Sequence, residues 1–393
     1  MSKEIEEKIN RYKKFLDNDP LNIQLKLDIA DLYLKINDKE TASFYLTELA
    51  EEPLTLDECC HLGNLLLKAG NTEQAIIILE SLFEHHEDDV GIALGLAYAY
   101  FQSKEYNEAL DLIECGIFEQ VDQLTAQFYL LKARCYHALS ETEAALEILD
   151  EAVKTHPDNY DIFGMISLLY CDQGQIEKAV ALAKQVILQN ESQQEALLVL
   201  NYASIQDQSI ETAKQQAENL IKLNPENGRA WMNLGLSYML DNHLNEALQA
   251  IEKAVEYMPD FIGLWHTKGW CELLSKNTEK AKESFISAFE LDRNFAESHG
   301  NLAVIAALEK DQEKATYYIT RAKRLNPDNF AGNYADILLL HQKSPELAEQ
   351  KLKTLIKKLP LKEGQNFEQL ISSLAQHHAA KNNLQAGVTH FKS

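Results

Sequence analysis

Apolar residues return at spacings of three and four along nearly the whole chain, the pattern that gathers them on one face of an α-helix. Short polar breaks separate these stretches, and no β-rich segment interrupts them. A second, longer period lies on top of the first. Ala42, Ala75, Ala109, Ala145, Ala179, Ala213, Ala247, Ala281, Ala315 and Ala348 are separated by 33 to 36 residues. A small residue on such a grid predicts a stack of similar helical hairpins, because each hairpin must approach its neighbour closely at one fixed point.

The unit from Gly228 to Phe261 shows the scheme most clearly. Trp231, Leu234, Gly235 and Tyr238 fall in its first helix. Ala247, Ile251 and Ala254 fall in its second, and Pro259 follows. The next units repeat it as Trp265, Gly269, Ala281, Phe285 and Ala288, then as Leu302, Ala303, Ala315, Ile319, Ala322 and Pro327. This resembles the tetratricopeptide repeat, W-x2-L-G-x2-Y…A-x3-F…P. The resemblance implies an all-α fold, a right-handed α-solenoid superhelix of stacked antiparallel helix pairs.

Three segments are expected. Residues 1–19 hold a capping helix, residues 20–360 an array of about ten repeats, and residues 361–393 a degenerate repeat and C-terminal cap. Helices are expected at Phe367 to Ala380 and at Asn383 to Lys392. Gly63, Ala97, Ala133, Gly235, Gly269 and Ala303 sit where a first helix should cross a second. Tyr33, Tyr100, Tyr136, Tyr170 and Tyr238 follow three residues later and should fill space between helices. Pro157, Pro225, Pro259 and Pro327 punctuate the junctions between units. Gln173-Gly174-Gln175 and Asp241-Asn242-His243 read as turns inside hairpins. Asn201 in the small slot predicts looser packing of its unit, and Asp336 takes that slot in the tenth unit. Two extra residues fall in the segment Phe118 to Leu124.

Composition narrows the chemistry. No apolar run is long enough to span a membrane, the N-terminus is not a secretory signal, and a cytoplasmic protein is expected. The six cysteines form no C-x-x-C pair and read as reduced core thiols. Net charge is −24, and residues 71–161 carry 19 acidic side chains against four basic ones. That acidity reads either as a solvated surface or as a field steering a basic segment of a partner, and it argues against nucleic acid. Phosphate-loop, dinucleotide and zinc-protease motifs are absent. His85 and His86 are adjacent on a helix end and project about 100° apart, so they read as an exposed turn and not as joint metal ligands. No enzyme activity, metal or cofactor is expected.

The resemblance implies that first helices line a concave groove where ligands lie. Carrying the repeat frame across gives two groove positions per unit: Leu27 and Asp31, Cys60 and Asn64, Leu94 and Tyr98, Leu130 and Arg134, and Gly164 and Leu168. The later units give Leu198 and Tyr202, Met232 and Leu236, His266 and Trp270, Gly300 and Val304, and Asn333 and Ile337. From these, Tyr98, Arg134, Leu168, Tyr202, Met232, Leu236, His266, Trp270 and Val304 are the expected partner-binding residues. Trp270 stands out, because Trp265 already fills the packing slot and an exposed tryptophan makes a favoured anchor. The paired lysines and asparagines of a carboxylate clamp are missing, and so is a continuous asparagine ladder. The expected function is an adaptor that holds a peptide or protein segment in the groove. A self-associating scaffold and a signal-peptide-sensing regulator are the alternatives.

Overall fold

The computed structural model describes residues 2–121 and 124–357, and all regular structure among them is helical. The chain divides into two compact units, residues 1–182 and 183–393. The helices expected at Phe367 to Ala380 and Asn383 to Lys392 lie outside the described residues.

Unit 1 opens with α1 (Ser2–Leu16), which packs on α2 (Ile23–Lys35). Antiparallel pairs follow: α2 with α3 (Lys39–Leu49), α4 (Leu56–Ala69) with α5 (Thr72–His85), α6 (Val90–Gln102) with α7 (Tyr106–Glu114), and α8 (Ala126–Ala138) with α9 (Thr142–Thr155). A 3-10 turn at Ile117–Gln120 takes up the extra length expected between Ala109 and Ala145. The unit ends with α10 (Tyr160–Asp172) and the first half of α11 (Ile176–Gln189).

Unit 2 holds four pairs of the same kind and a fifth at its C-terminal side. They are α12 (Gln194–Gln206) with α13 (Ile210–Leu223), α14 (Gly228–Leu240) with α15 (Leu244–Tyr257), and α16 (Ile262–Leu274) with α17 (Thr278–Leu291). Then come α18 (Ala296–Leu308) with α19 (Gln312–Leu325) and α20 (Phe330–His341) with α21 (Pro345–Lys357).

Sterics explain the alanine grid. Nine of the ten grid alanines have no exposed surface, and Ala348 has 1%. The crossing glycines of the first helices pack on the residue four positions after the grid alanine. A Cβ on Gly63 would stand 3.0 Å from Leu79 Cδ2, and one on Gly235 would stand 2.6 Å from Ile251 Cγ1. Ala97, Ala133 and Ala303 are wholly buried. Asn201 does not loosen its unit. Its buried amide donates to Ala213 O at 2.7 Å and accepts from Asn233 Nδ2 at 2.8 Å, so hydrogen bonds replace close contact. Asp336, by contrast, leaves the crossing; it is exposed and pairs with Lys323 at 2.6 Å. Ala331 and Ala335 are the small buried residues of α20.

The tyrosines of the bulky slot are half-buried, with the ring packed and the hydroxyl directed outward. Tyr100 and Tyr136 donate to Glu80 at 2.6 Å and Glu114 at 2.8 Å. In the tryptophan slot a different regularity emerges. Trp231, Trp265, His299 and Asn333 each donate a side-chain N–H to the carbonyl six residues earlier, at Pro225, Pro259, Arg293 and Pro327. The chemistry of the slot is thus an N–H on a flat side chain, which ties each first helix to the junction before it.

The hairpins from α2–α3 to α18–α19 each turn through one left-handed residue, at Asn37, Gly70, Lys104, Ser140, Gly174, Gln208, Asn242, Lys276 and Lys310, and the turn from α20 to α21 does without one. Glycine adopts that conformation without strain and asparagine tolerates it, whereas a residue such as lysine loses about 1–2 kcal/mol there. Lys276→Gly is therefore expected to stabilise unit 2 by about 0.5–1 kcal/mol, after the extra freedom of an unfolded glycine is deducted. The urea midpoint of tryptophan fluorescence measures it, because the three tryptophans lie at 231, 265 and 270. An unchanged or lower midpoint would contradict the strain argument.

Candidate interaction groove

In unit 1 the first helices α4, α6 and α8 bring five of the expected groove residues together. Asn64, Leu94, Tyr98, Leu130 and Arg134 line one hollow of about 290 Å³. Gly91 and Gly95 add backbone without side chains to its wall. A Cβ on Gly95 would have only Leu79 within reach, at 3.9 Å, so the glycine keeps the hollow open and is not forced by packing. Caps set the helices in register: the Asp89 carboxylate accepts from Gly91 N and Ile92 N at 2.8 and 3.0 Å, and Thr125 Oγ1 accepts from Phe128 N at 3.3 Å.

The hollow is chemically simple. Its floor is leucine, its exposed ring is Tyr98, and its cation is Arg134. Tyr98 is 42% exposed, and its ring leans on Phe101 with centroids 6.4 Å apart. Burial and the charges of Asp89 and Asp57 push the thiol pKa of nearby Cys60 up, away from the thiolate form. Asn64 donates to Cys60 O at 2.9 Å, which holds its amide along α4. Among the described residues no three His, Cys, Asp or Glu side chains converge as metal ligands. His85 and His86 sit at the C-terminal end of α5 and are both exposed.

The remaining expected site residues fare differently. Leu168 in unit 1 is 7% exposed. In unit 2, Tyr202, Met232 and Leu236 are half-buried. His266 is buried, with Nε2 facing Ser298 Oγ at 3.0 Å and its ring stacked on Phe295. Val304 has no exposed surface. Trp270 is no free anchor; it packs against Phe285, Phe330 and Tyr334 with centroids 6.0–6.1 Å apart. The cause is the close seating of α20 on α18. A Cβ on Gly300 would stand 2.3 Å from Asn329 Oδ1 and 2.7 Å from Gly332 N, so glycine is what lets the two helices meet. Residues Ser298 to Ala307 are consequently buried without a break. Ser298 to Ala307 build the core of unit 2 together with His266, whereas Tyr202, Met232, Leu236 and Trp270 keep part of their surface.

Sequence profiles described as tetratricopeptide repeat match residues 66–135, 136–200, 228–261 and 262–295. No curated protein matches the chain. Among solved structures it is similar to a human IFIT1 dimer with m7Gppp-AAAA, at 17% identity over 91% of this chain and 90% of that one, with a TM-score of 0.55. A human IFIT1 dimer with PPP-AAAA aligns at 17% identity over 97% and 94%, with a TM-score of 0.54. A monomeric IFIT1 mutant with Gppp-AAAA aligns at 16% over 92% and 90%, with a TM-score of 0.55. At such identity the likeness is one of fold.

These structures correct one expectation. Nucleic acid was excluded on net charge, yet proteins of this fold are solved with nucleic-acid ligands. Net charge is an average, and here it hides a segregation. Residues 1–182 carry 35 acidic and 14 basic side chains, whereas residues 183–393 carry 26 and 23. Repulsion of a polyanion follows the local field, which decays within about 10 Å at moderate salt. No helix among the described residues is long and apolar enough to cross a membrane. The buried alanine grid, the glycine crossings, the repeated turn and the matched segments converge on one conclusion: the chain belongs to the tetratricopeptide repeat family, an interaction scaffold.

Proposed function

We propose that this chain is a non-enzymatic adaptor that holds a segment of another protein against α4, α6 and α8 of unit 1. The observation that supports this reading is the open leucine-floored hollow with Tyr98 at its rim and Arg134 beside it. Apolar side chains of a ligand gain about 25 cal/mol for each Å² removed from water there. Tyrosine and arginine are the residue types most often found to dominate binding. Because three packed helices preform the hollow, the ordering cost falls mainly on the ligand.

Peptides selected from a random library against the full chain provide the test. Tyr98→Ala and Leu94→Glu are each expected to weaken the selected peptides at least about tenfold, roughly 1.4 kcal/mol. Ile77→Glu, on the 66%-exposed outward side of α5, is expected to leave affinity unchanged. Circular dichroism checks that all three variants stay folded. Peptides that bind both groove variants undiminished would defeat the assignment.

A further inference from the structure

The outward face of α19 gathers groups that the groove in unit 1 does not use. Thr316, Tyr317, Thr320, Arg321 and Arg324 are all exposed and border a surface hollow of about 590 Å³, with Glu313 as its acidic member. Their spacing of three and four along the helix puts them on one face. Tyr317 is 54% exposed, and its ring is braced edge-on by Tyr318, with centroids 5.2 Å apart. The Arg321 guanidinium carbon lies 5.4 Å from the Tyr317 ring centroid. Neighbouring cations are already neutralised: Lys282 pairs with Glu309 at 2.7 Å, Lys314 with Asp311 at 3.0 Å, and Lys323 with Asp336 at 2.6 Å. Arg321 and Arg324 make no ion pair with a carboxylate among the described residues. Among the described residues, two guanidiniums thus stand without a carboxylate partner on a helix face that also presents a fixed aromatic ring, in a chain whose net charge is −24.

We propose that this face of α19 binds single-stranded nucleic acid, with a base stacked on Tyr317 and backbone phosphates held by Arg321 and Arg324. Charge complementarity selects a polyanion, and the braced ring beside Arg321 selects one with flat bases over an acidic polypeptide. Guanidinium suits the role because its planar fork matches phosphate oxygens and also stacks on rings. The site is independent of the groove in unit 1, so either assignment can fail alone.

The test is fluorescence anisotropy of a labelled oligoadenylate of about ten nucleotides with the full chain at low salt. Wild type is expected to bind. Tyr317→Ala should weaken it about tenfold, and Arg321→Gln with Arg324→Gln more than tenfold. Losing two phosphate contacts should also flatten the slope of log affinity against log salt by about 1.4. Tyr98→Ala, in the groove of unit 1, should leave the affinity unchanged. The proposal is overturned if wild type does not bind, if Tyr317→Ala binds as wild type does, if Tyr98→Ala abolishes binding, or if polyglutamate of equal length displaces the oligonucleotide at equal concentration.

Discussion

Gly269→Ala is expected to lower the stability of unit 2 by about 2 kcal/mol, although alanine is the better helix former by about 1 kcal/mol. The new methyl would stand 2.3 Å from Phe285 Cε1 and 2.5 Å from Cδ1. Real carbons do not approach so closely, so ring or helix must move. Phe285 has no exposed surface, and its ring meets Trp270 with centroids 6.1 Å apart, so neither direction is open. Overpacking therefore outweighs propensity. A double-mutant cycle separates the two. Phe285→Leu clears the ring, and in that background Gly269→Ala should cost at least about 1 kcal/mol less than in wild type. Urea titration followed by tryptophan fluorescence reads both, since Trp231, Trp265 and Trp270 all lie in unit 2. An equal cost in the two backgrounds would mean that the crossing is not what demands glycine there.

That crossing was legible in the sequence because it recurs. A small residue in the first helix that meets the large residue one turn beyond the grid alanine, as Gly235 meets Ile251 and Gly269 meets Phe285, carries its own steric explanation. The turn at Gly174 and Asn242 was legible for the same reason, since both residue types tolerate φ near +60°. The equivalent turns at Lys104 and Lys276 carry no such signal, and only the repeat frame locates them. The groove was half legible. Positions 64, 94, 98, 130 and 134 do converge, because α4, α6 and α8 leave their inner faces uncovered. The same frame failed at Gly300, Val304 and Trp270, because nothing in a repeat pattern says how closely the next first helix will sit. One local clue existed: a glycine inside a helix, as at Gly300, marks a close backbone approach as readily as an open surface. The tryptophan-slot bonds to carbonyls at Pro225 and Pro259 were missed, since aromatic character concealed the N–H that His299 and Asn333 share with the tryptophans. Net charge misled for a different reason. It summed an acidic unit 1 with a nearly balanced unit 2, and the face of α19 depends only on the second.

Acid should weaken unit 2 through His266, by about 3 kcal/mol between pH 6.5 and 4. Burial holds its imidazole at a pKa of about 4, below the ordinary 6.5. Above pH 6.5 the ring is neutral in both folded and unfolded chains, and the full stability is present. Between 6.5 and 4 the unfolded chain takes up the proton and the folded chain does not, so stability falls with pH; below 4 the loss is complete. His299, also depressed by burial, acts in the same sense. Glu272 and Glu297 act in the opposite sense, because burial holds their carboxyls above the ordinary 4.5 and acid relieves a buried charge. The slope for the whole unit is thus a difference of opposing contributions, and only a variant isolates the histidine. His266→Gln keeps a donor for Ser298 and cannot be protonated. Its stability should fall less than that of wild type over this range, with the gap between the two proteins narrowing by about 3 kcal/mol as pH drops. A gap that stays constant would mean that His266 reaches water and titrates normally. It would then have the accessible surface that the packing around Ser298 and Phe295 denies it, and its place in a groove would be restored.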